Sequence, residues 1–146
     1  VKYPFDVYID FAHTPNSLKN VLTEMRKKAQ NDVILVFGAA GGKDKSKRPL
    51  MGEIALKYAD FVIFTSEDPR LEKPTDIINQ MLSTTNSNQT NYKVIIDRTE
   101  AMIYAFKIAK KNDVILVTGK GRENYFEENN IRINYSDFDH LLDIRI

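Results

Sequence analysis

The sequence predicts an α/β domain built in three layers, with helices on both faces of a mainly parallel sheet of about six strands and a C-terminal hairpin strand. Three observations predict it. Two heptapeptides, DVILVFG at 32–38 and DVILVTG at 113–119, are almost continuously apolar, the pattern of strands covered on both faces of a parallel sheet. Around them, short apolar runs alternate five times with longer segments whose apolar residues recur at spacings of three and four, the repeat of one buried helix face. Right-handed β-α-β crossovers turn such an alternation into an open sheet.

The elements follow in order. Residues 5–9, FDVYI, read as a first strand, and Thr14-Pro15 supplies a cap and a first-turn proline for a helix that buries Leu18, Val21, Leu22, Met25 and Ala29. DVILVFG is the second strand. Pro49 opens a second helix with Leu50, Met51, Ile54, Ala55 and Tyr58 on one side, and Phe61–Phe64 form the third strand. A third helix runs from Pro74 to about Leu82, a polar connection fills 83–91, and Tyr92–Ile96 are the fourth strand. A fourth helix packs through Ala101, Met102, Ala105, Ile108 and Ala109 before DVILVTG gives the fifth strand. Tyr125–Tyr135 read as a hairpin turning at Glu128-Asn129-Asn130, and Ser136 caps a last short helix.

Composition bounds the function. At 146 residues the chain has the size of one domain with a sizeable core, so a single domain over 1–146 is expected. It begins with Val1 instead of Met, and a fragment of a longer protein is expected on that basis. The formal net charge is +1, without the global basic field of nucleic-acid binders. No run is apolar enough to cross a membrane, so neither nucleic acid nor membrane is an expected partner. The absence of cysteine and the presence of two separated histidines argue against disulfides and a zinc site, and fit a reducing cytoplasm.

Chemistry concentrates in residues 36–52, VFGAAGGKDKSKRPLMG. A strand runs into glycines, then Lys43, Lys45, Lys47 and Arg48, then a helix start, a junction suited to a phosphate or carboxylate. It is not a Walker loop, because three residues instead of four separate Gly38 from Gly42 and Asp44 replaces Ser or Thr. In an open parallel sheet, ligands sit beyond the strand C-termini. His13, Gly41 to Arg48, Glu67 to Arg70, Asp97-Arg98 and Gly119 to Glu123 all fall there. The group is rich in cations with a few carboxylates and carries no evident nucleophilic set, so recognition of a zwitterion is expected: Arg48 and Arg70 on carboxylates, and Glu67, Asp68 or Glu123 on an ammonium.

Five ordered motifs carry a resemblance. Asp10-Phe11-Ala12-His13-Thr14-Pro15, Gly41-Gly42-Lys43-Asp44 with Lys47-Arg48-Pro49-Leu50-Met51-Gly52, Ser66-Glu67-Asp68-Pro69-Arg70, Asp97-Arg98-Thr99-Glu100-Ala101 and Gly119-Lys120-Gly121-Arg122-Glu123 together resemble the C-terminal domain of the Mur ligases over essentially the whole chain. The resemblance implies a Rossmann-like domain of an ATP-dependent amide ligase of bacterial peptidoglycan synthesis, a cytoplasmic activity of cell-wall biogenesis on which cell shape and division depend. It implies addition of the third stem-peptide residue to UDP-MurNAc-L-Ala-D-Glu through an acyl phosphate. The N-terminal and central domains, the latter with the P-loop and Mg2+ ligands, would lie elsewhere in the same chain. This domain alone would contain no catalytic residue and be inactive. Position by position, the resemblance makes Arg48 and Arg70 carboxylate holders, makes Asp68, Glu123 and the backbone at Gly119 partners of the amino acid, and brings His13, Pro15 and Asn16 near the nucleotide.

The sequence departs from the family pattern where Asp-Asn-Pro-Arg reads Glu67-Asp68-Pro69-Arg70, where Arg122 replaces His, and where Phe11 replaces Tyr. Retention of Arg70 favours meso-diaminopimelate over lysine, because the second carboxylate is what lysine lacks. A related folylpolyglutamate or cyanophycin synthetase domain, or a non-catalytic nucleotide-binding domain, is the alternative.

Overall fold

The computed structural model describes residues 2–146. In chain order the elements are β1 (Asp6–Asp10), α1 (Pro15–Lys28), β2 (Val33–Phe37), α2 (Arg48–Tyr58), β3 (Phe61–Phe64), α3 (Pro74–Met81), β4 (Tyr92–Val94), α4 (Arg98–Ile108), β5 (Val114–Thr118), β6 (Tyr125–Glu128), β7 (Ile131–Asn134) and α5 (Asp137–Asp143). Thr14 caps α1 in a reciprocal arrangement with Ser17, Asp97 caps α4 and Ser136 caps α5, each side chain accepting an N–H that the first helical turn leaves unpaired.

The main sheet has the order β1-β5-β2-β3-β4, parallel throughout. The two apolar heptapeptides lie side by side at its centre, Val33 opposite Val114, and all five residues of β2 and of β5 are buried. Alternation across the strand explains why. Val33, Leu35 and Phe37 face a core with Leu18, Leu22, Met51, Ala55, Ile78 and Met81 from α1, α2 and α3. Ile34 and Val36 face Ala101, Met102, Ala105 and Phe106 of α4. Three layers result.

Among the described residues the main sheet holds five strands, not about six. Strands β6 and β7 pair with each other in a separate antiparallel sheet, touching the loop after β3 through a parallel bridge between Arg70 and Glu128 and through hydrogen bonds of Glu127 with Asp68 and Arg70. Strand β4 is also shorter than the expected Tyr92–Ile96. After Val94 the chain turns toward the Asp97 cap, although the Ile95 N–H still reaches the Phe64 carbonyl at 3.0 Å. Because every strand of the main sheet points the same way, Asp10, Phe37, Phe64 and Thr118 end along one edge.

Candidate functional site

Beyond that edge lies a cleft of about 310 Å³. Four loops build it. Phe11, His13 and Thr14 come from the loop after β1, Lys43, Lys47 and Arg48 from the segment after β2, Glu67, Asp68 and Arg70 from the loop after β3, and Gly119, Glu123 and Tyr125 from the turn after β5. All five residues expected to bind substrate, Arg48, Asp68, Arg70, Gly119 and Glu123, therefore line one space with His13. Pro15 and Asn16 do not line it; they belong to the first turn of α1, where Thr14 takes the lining position.

Arg48 and Arg70 differ in how much of each guanidinium is open. Arg48 is buried. Its Nη1 donates to Glu72 Oε1 at 2.9 Å and Gln80 Oε1 at 2.7 Å, and its Nη2 to Glu72 Oε2 at 2.8 Å and the Ala40 carbonyl at 3.0 Å. Among the described residues only Nε lacks a partner. The Arg48 hydrogen bonds pull the Glu72 carboxyl down to about 2, and Glu72 in turn accepts from the Gly42 N–H at 2.7 Å. Arg48 thus holds the glycine loop in place from within. Arg70 is half-buried and donates from Nε to Glu127 and from Nη1 to the Gly41 carbonyl at 2.5 Å. Of its five N–H donors, three take no partner among the described residues.

The cleft floor is a cluster of opposite charges. Lys120 is fully buried, and its Nζ reaches Asp68 Oδ2 at 2.7 Å and Glu123 Oε1 at 3.0 Å, beneath the Tyr125 ring at 4.3 Å. Tyr125 donates to the other oxygen of Glu123 at 3.0 Å. The flanking glycines turn the chain so that this lysine points inward, both with positive φ: Gly119 at 107° and Gly121 at 54°. At Gly119 a Cβ would stand 1.7 Å from Glu67 Oε1, so the missing side chain makes room for a buried carboxyl. That same Oε1 has no hydrogen-bond partner among the described residues.

Burial, reinforced by the nearby charges of Asp68 and Glu123, pushes the Glu67 carboxyl up to about 7 despite the opposing pull of Arg98 and Lys120. The unfolded group ionises near 4.5, whereas the folded one keeps its proton to about 7. Unfolding then releases a proton between those values, and stability falls as pH rises through the window by about 3 kcal/mol. Urea midpoints at pH 5 and pH 7.5 are expected to show that fall in the wild type and much less of it in Glu67→Gln. Equal slopes for the two proteins would mean that Glu67 is ionised throughout.

Asp97 and Arg98 do not join this cleft. Asp97 Oδ1 accepts from the Glu100 N–H at 2.9 Å as a helix cap, and Arg98 is buried behind the floor, paired with Asp137. Lys120 was legible only as the centre of a Gly-Lys-Gly triplet. Glu127 and Tyr125 read as hairpin residues without any further signal. His13 donates from Nδ1 to the Phe11 carbonyl at 2.8 Å, leaving Nε2 for another partner. Among the described residues no group of three or more His, Cys, Asp or Glu is arranged to hold a metal ion, and no helix is long and apolar enough to cross a membrane.

Comparison with known proteins matches residues 1–121 to the family described as Mur ligase, glutamate ligase domain. A UDP-N-acetylmuramoyl-L-alanyl-D-glutamate--2,6-diaminopimelate ligase of Caldanaerobacter subterraneus subsp. tengcongensis is 50% identical over 121 residues, covering 83% of this chain and 25% of that protein. The ligase of the same name from Oceanobacillus iheyensis is 42% identical over 135 residues, covering 92% of this chain and 27% of its own. A solved structure of a ligase of that name superposes with a TM-score of 0.92 at 34% identity, covering 97% of this chain and 29% of that one. The chain thus spans about a quarter of the length of the curated relatives it matches. With the matched family model spanning most of its length, and with the parallel sheet and loop-built cleft already described, the chain belongs to the Mur ligase family as a glutamate ligase domain.

Proposed function

We propose that this chain is the C-terminal domain of an ATP-dependent ligase that joins 2,6-diaminopimelate to UDP-MurNAc-L-Ala-D-Glu, and that the cleft receives the incoming amino acid. The observation that carries this is Arg70, half-buried in the cleft with three N–H donors open, beside a floor of Glu67, Asp68 and Glu123. A diamino diacid presents both charges such a cleft can hold: carboxylates for a planar fork of donors, ammonium groups for carboxylates. The names carried by the similar ligases support diaminopimelate over lysine.

In the proposed reaction the γ-phosphoryl group of ATP passes to the dipeptide carboxylate and ADP leaves. The amino group, having given up its ammonium proton to solvent, attacks the acyl carbon, and inorganic phosphate leaves as the amide forms and the nitrogen loses a second proton. This domain contributes binding and orientation, which lower the entropic part of the barrier by presenting the amine in place. Arg70 grips a carboxylate. Glu123, the more exposed of the carboxylates on Lys120, takes an ammonium hydrogen. Arg48, filled by Glu72 and Gln80, keeps the glycine loop in shape instead of gripping the ligand itself. Lys43 and Lys47 are exposed at the mouth of the cleft, cations free to meet an anionic phosphate, and His13, which lines the same cleft, is proposed to lie near the nucleotide. Mg2+ would be held by the central domain. In this reading the remaining domains bind UDP and the nucleotide, and the enzyme works in the bacterial cytoplasm.

Phosphate release by the full-length enzyme with ATP, magnesium and UDP-MurNAc-L-Ala-D-Glu tests this, comparing meso-diaminopimelate with lysine. Diaminopimelate is expected to be preferred. Arg70→Ala is expected to raise the KM for diaminopimelate roughly 10- to 100-fold with the KM for ATP little changed, the loss of about 1.5 to 3 kcal/mol typical of a hydrogen bond to a charged group. An unaltered KM would remove Arg70 from the pocket, and preference for lysine would mean that the second carboxylate is not what the cleft reads.

A further inference from the structure

We propose that Glu127, on hairpin strand β6, is a positioning residue that aims Arg70 at the carboxylate of the incoming amino acid and so sets how tightly a diacid is held. The inference rests on Arg70 being the carboxylate grip. Glu127 does not line the cleft; it acts through the loop that does.

The contacts converge on one residue. The Glu127 N–H donates to Asp68 Oδ1 at 2.9 Å, the Arg70 N–H donates to the Glu127 carbonyl at 3.1 Å, and Arg70 Nε donates to Glu127 Oε1 at 2.8 Å. Two residues on, the Asn129 N–H donates to the Arg70 carbonyl at 2.7 Å. Asp68 and Arg70 both have positive φ, 37° and 57°, a conformation uncommon outside glycine and one that an arginine, unlike Asp or Asn, keeps only when its surroundings hold it. Strand β6 is that surrounding, and Glu127 supplies three of the bonds.

The side chain adds a second level of control. Free in solution, an arginine fork samples many rotamers, and a ligand must fix it on binding. Here Glu127 occupies Nε and the Gly41 carbonyl occupies Nη1, so the guanidinium plane is set before a ligand arrives. Glu127 is itself fixed, since its other oxygen accepts from Arg132 Nε at 3.1 Å. The hydrogen bond from Arg70, then that from Arg132, holds its carboxyl below the ordinary glutamate range. Its negative charge also offsets part of the Arg70 attraction for another carboxylate. Orientation and charge therefore act in opposite directions, and substitution can separate them: Gln keeps an acceptor for Nε without the charge, and Ala loses both.

The test uses the full-length enzyme with diaminopimelate varied at saturating ATP and UDP-MurNAc-L-Ala-D-Glu. Glu127→Ala is expected to raise the KM for diaminopimelate about tenfold, with kcat and the KM for ATP within about twofold of the wild type. Glu127→Gln is expected to stay within about threefold of the wild-type KM, rescued by the retained acceptor. A KM for Glu127→Ala within twofold of the wild type overturns the proposal. So does an equal rise in the KM values for ATP and diaminopimelate in both variants, which would mark a merely structural role. If Glu127→Ala does not fold, Glu127→Asp carries the same test: the charge stays, the reach shortens by one methylene, and the KM rises. Arg70→Ala measured alongside separates the two ideas. A normal KM in that variant removes the carboxylate grip itself, whereas a raised KM there with a normal one in Glu127→Ala removes only Glu127.

Discussion

Arg98→Met is expected to destabilise the domain by about 3 to 5 kcal/mol, the cost of leaving one partner of a buried ion pair uncompensated. The side chains of Arg98 and Asp137 are 2% and 0% exposed. They meet in a two-point grip, Nε to Oδ1 and Nη2 to Oδ2, both at 2.8 Å, while Nη2 also donates to the Thr118 carbonyl at 2.8 Å and Nη1 to the Ser66 carbonyl at 3.3 Å. Burial opposes both charges. The pairing wins, holding Arg98 above its usual range and Asp137 below its own. Methionine fills much of the volume but leaves Asp137 with the Tyr135 hydroxyl, at 2.6 Å, as its remaining side-chain partner among the described residues. The double variant Arg98→Met, Asp137→Leu is expected to recover most of the loss, because no buried charge is then left alone. Urea unfolding of the three proteins checks this. A single variant within about 1 kcal/mol of the wild type would show that water reaches the pair.

The same pair explains why function is expected to suffer with stability. The carbonyls that Arg98 holds belong to Ser66 and Thr118, which immediately precede Glu67 and Gly119 in the cleft. Thus one guanidinium behind the floor ties the loop after β3 to the turn after β5, and Asp137 ties both to the start of α5. The sequence placed Arg98 among ligand-facing residues because it stands at a strand end; the structure turns it inward.

That difference marks the boundary of what residue pattern conveys here. The main sheet was legible because burial on both faces leaves a continuous apolar run, and both such runs became central strands. The hairpin turn was legible because Asn129 and Asn130, at φ 52° and 61°, are among the residues that tolerate the left-handed region. Convergence of loops at one edge followed from parallel topology alone. The roles of individual cations did not. Arg48 and Arg70 look equivalent along the chain, yet Glu72 fills one guanidinium and Glu127 takes a single edge of the other. Those pairings join residues 24 and 57 positions apart, and their outcome depends on side-chain geometry that no local spacing encodes. The separation of the hairpin from the main sheet has the same origin: its length and alternation suit an added strand, and its actual neighbour is the loop carrying Asp68 and Arg70.

Lys120→Met is expected to have the second large effect, again about 3 to 5 kcal/mol, and to reshape the cleft floor. The ammonium is wholly buried between Asp68 and Glu123, and it is one of the two cations that restrain Glu67. Removing it leaves three carboxyl groups around one small space, with Arg98 the cation still acting on Glu67. The Asp68 carboxylate loses its 2.7 Å donor and keeps the Glu127 N–H. Glu67 climbs further above its folded value of about 7, which sets the sign of the pH dependence. A carboxyl raised more in the folded state costs more stability as pH rises from its unfolded value through its folded one. The Lys120→Met penalty is therefore expected to grow from pH 5 to pH 8, and the added substitution Glu67→Gln is expected to remove that growth without restoring the whole loss. Chemical unfolding of the single and double variants at both pH values measures this. A penalty independent of pH would show that Lys120 acts on Asp68 and Glu123 alone, through contact and not through the charge balance of the floor. A small penalty at both values would mean that the three carboxyl groups find water, and that the floor opens more readily than its burial indicates.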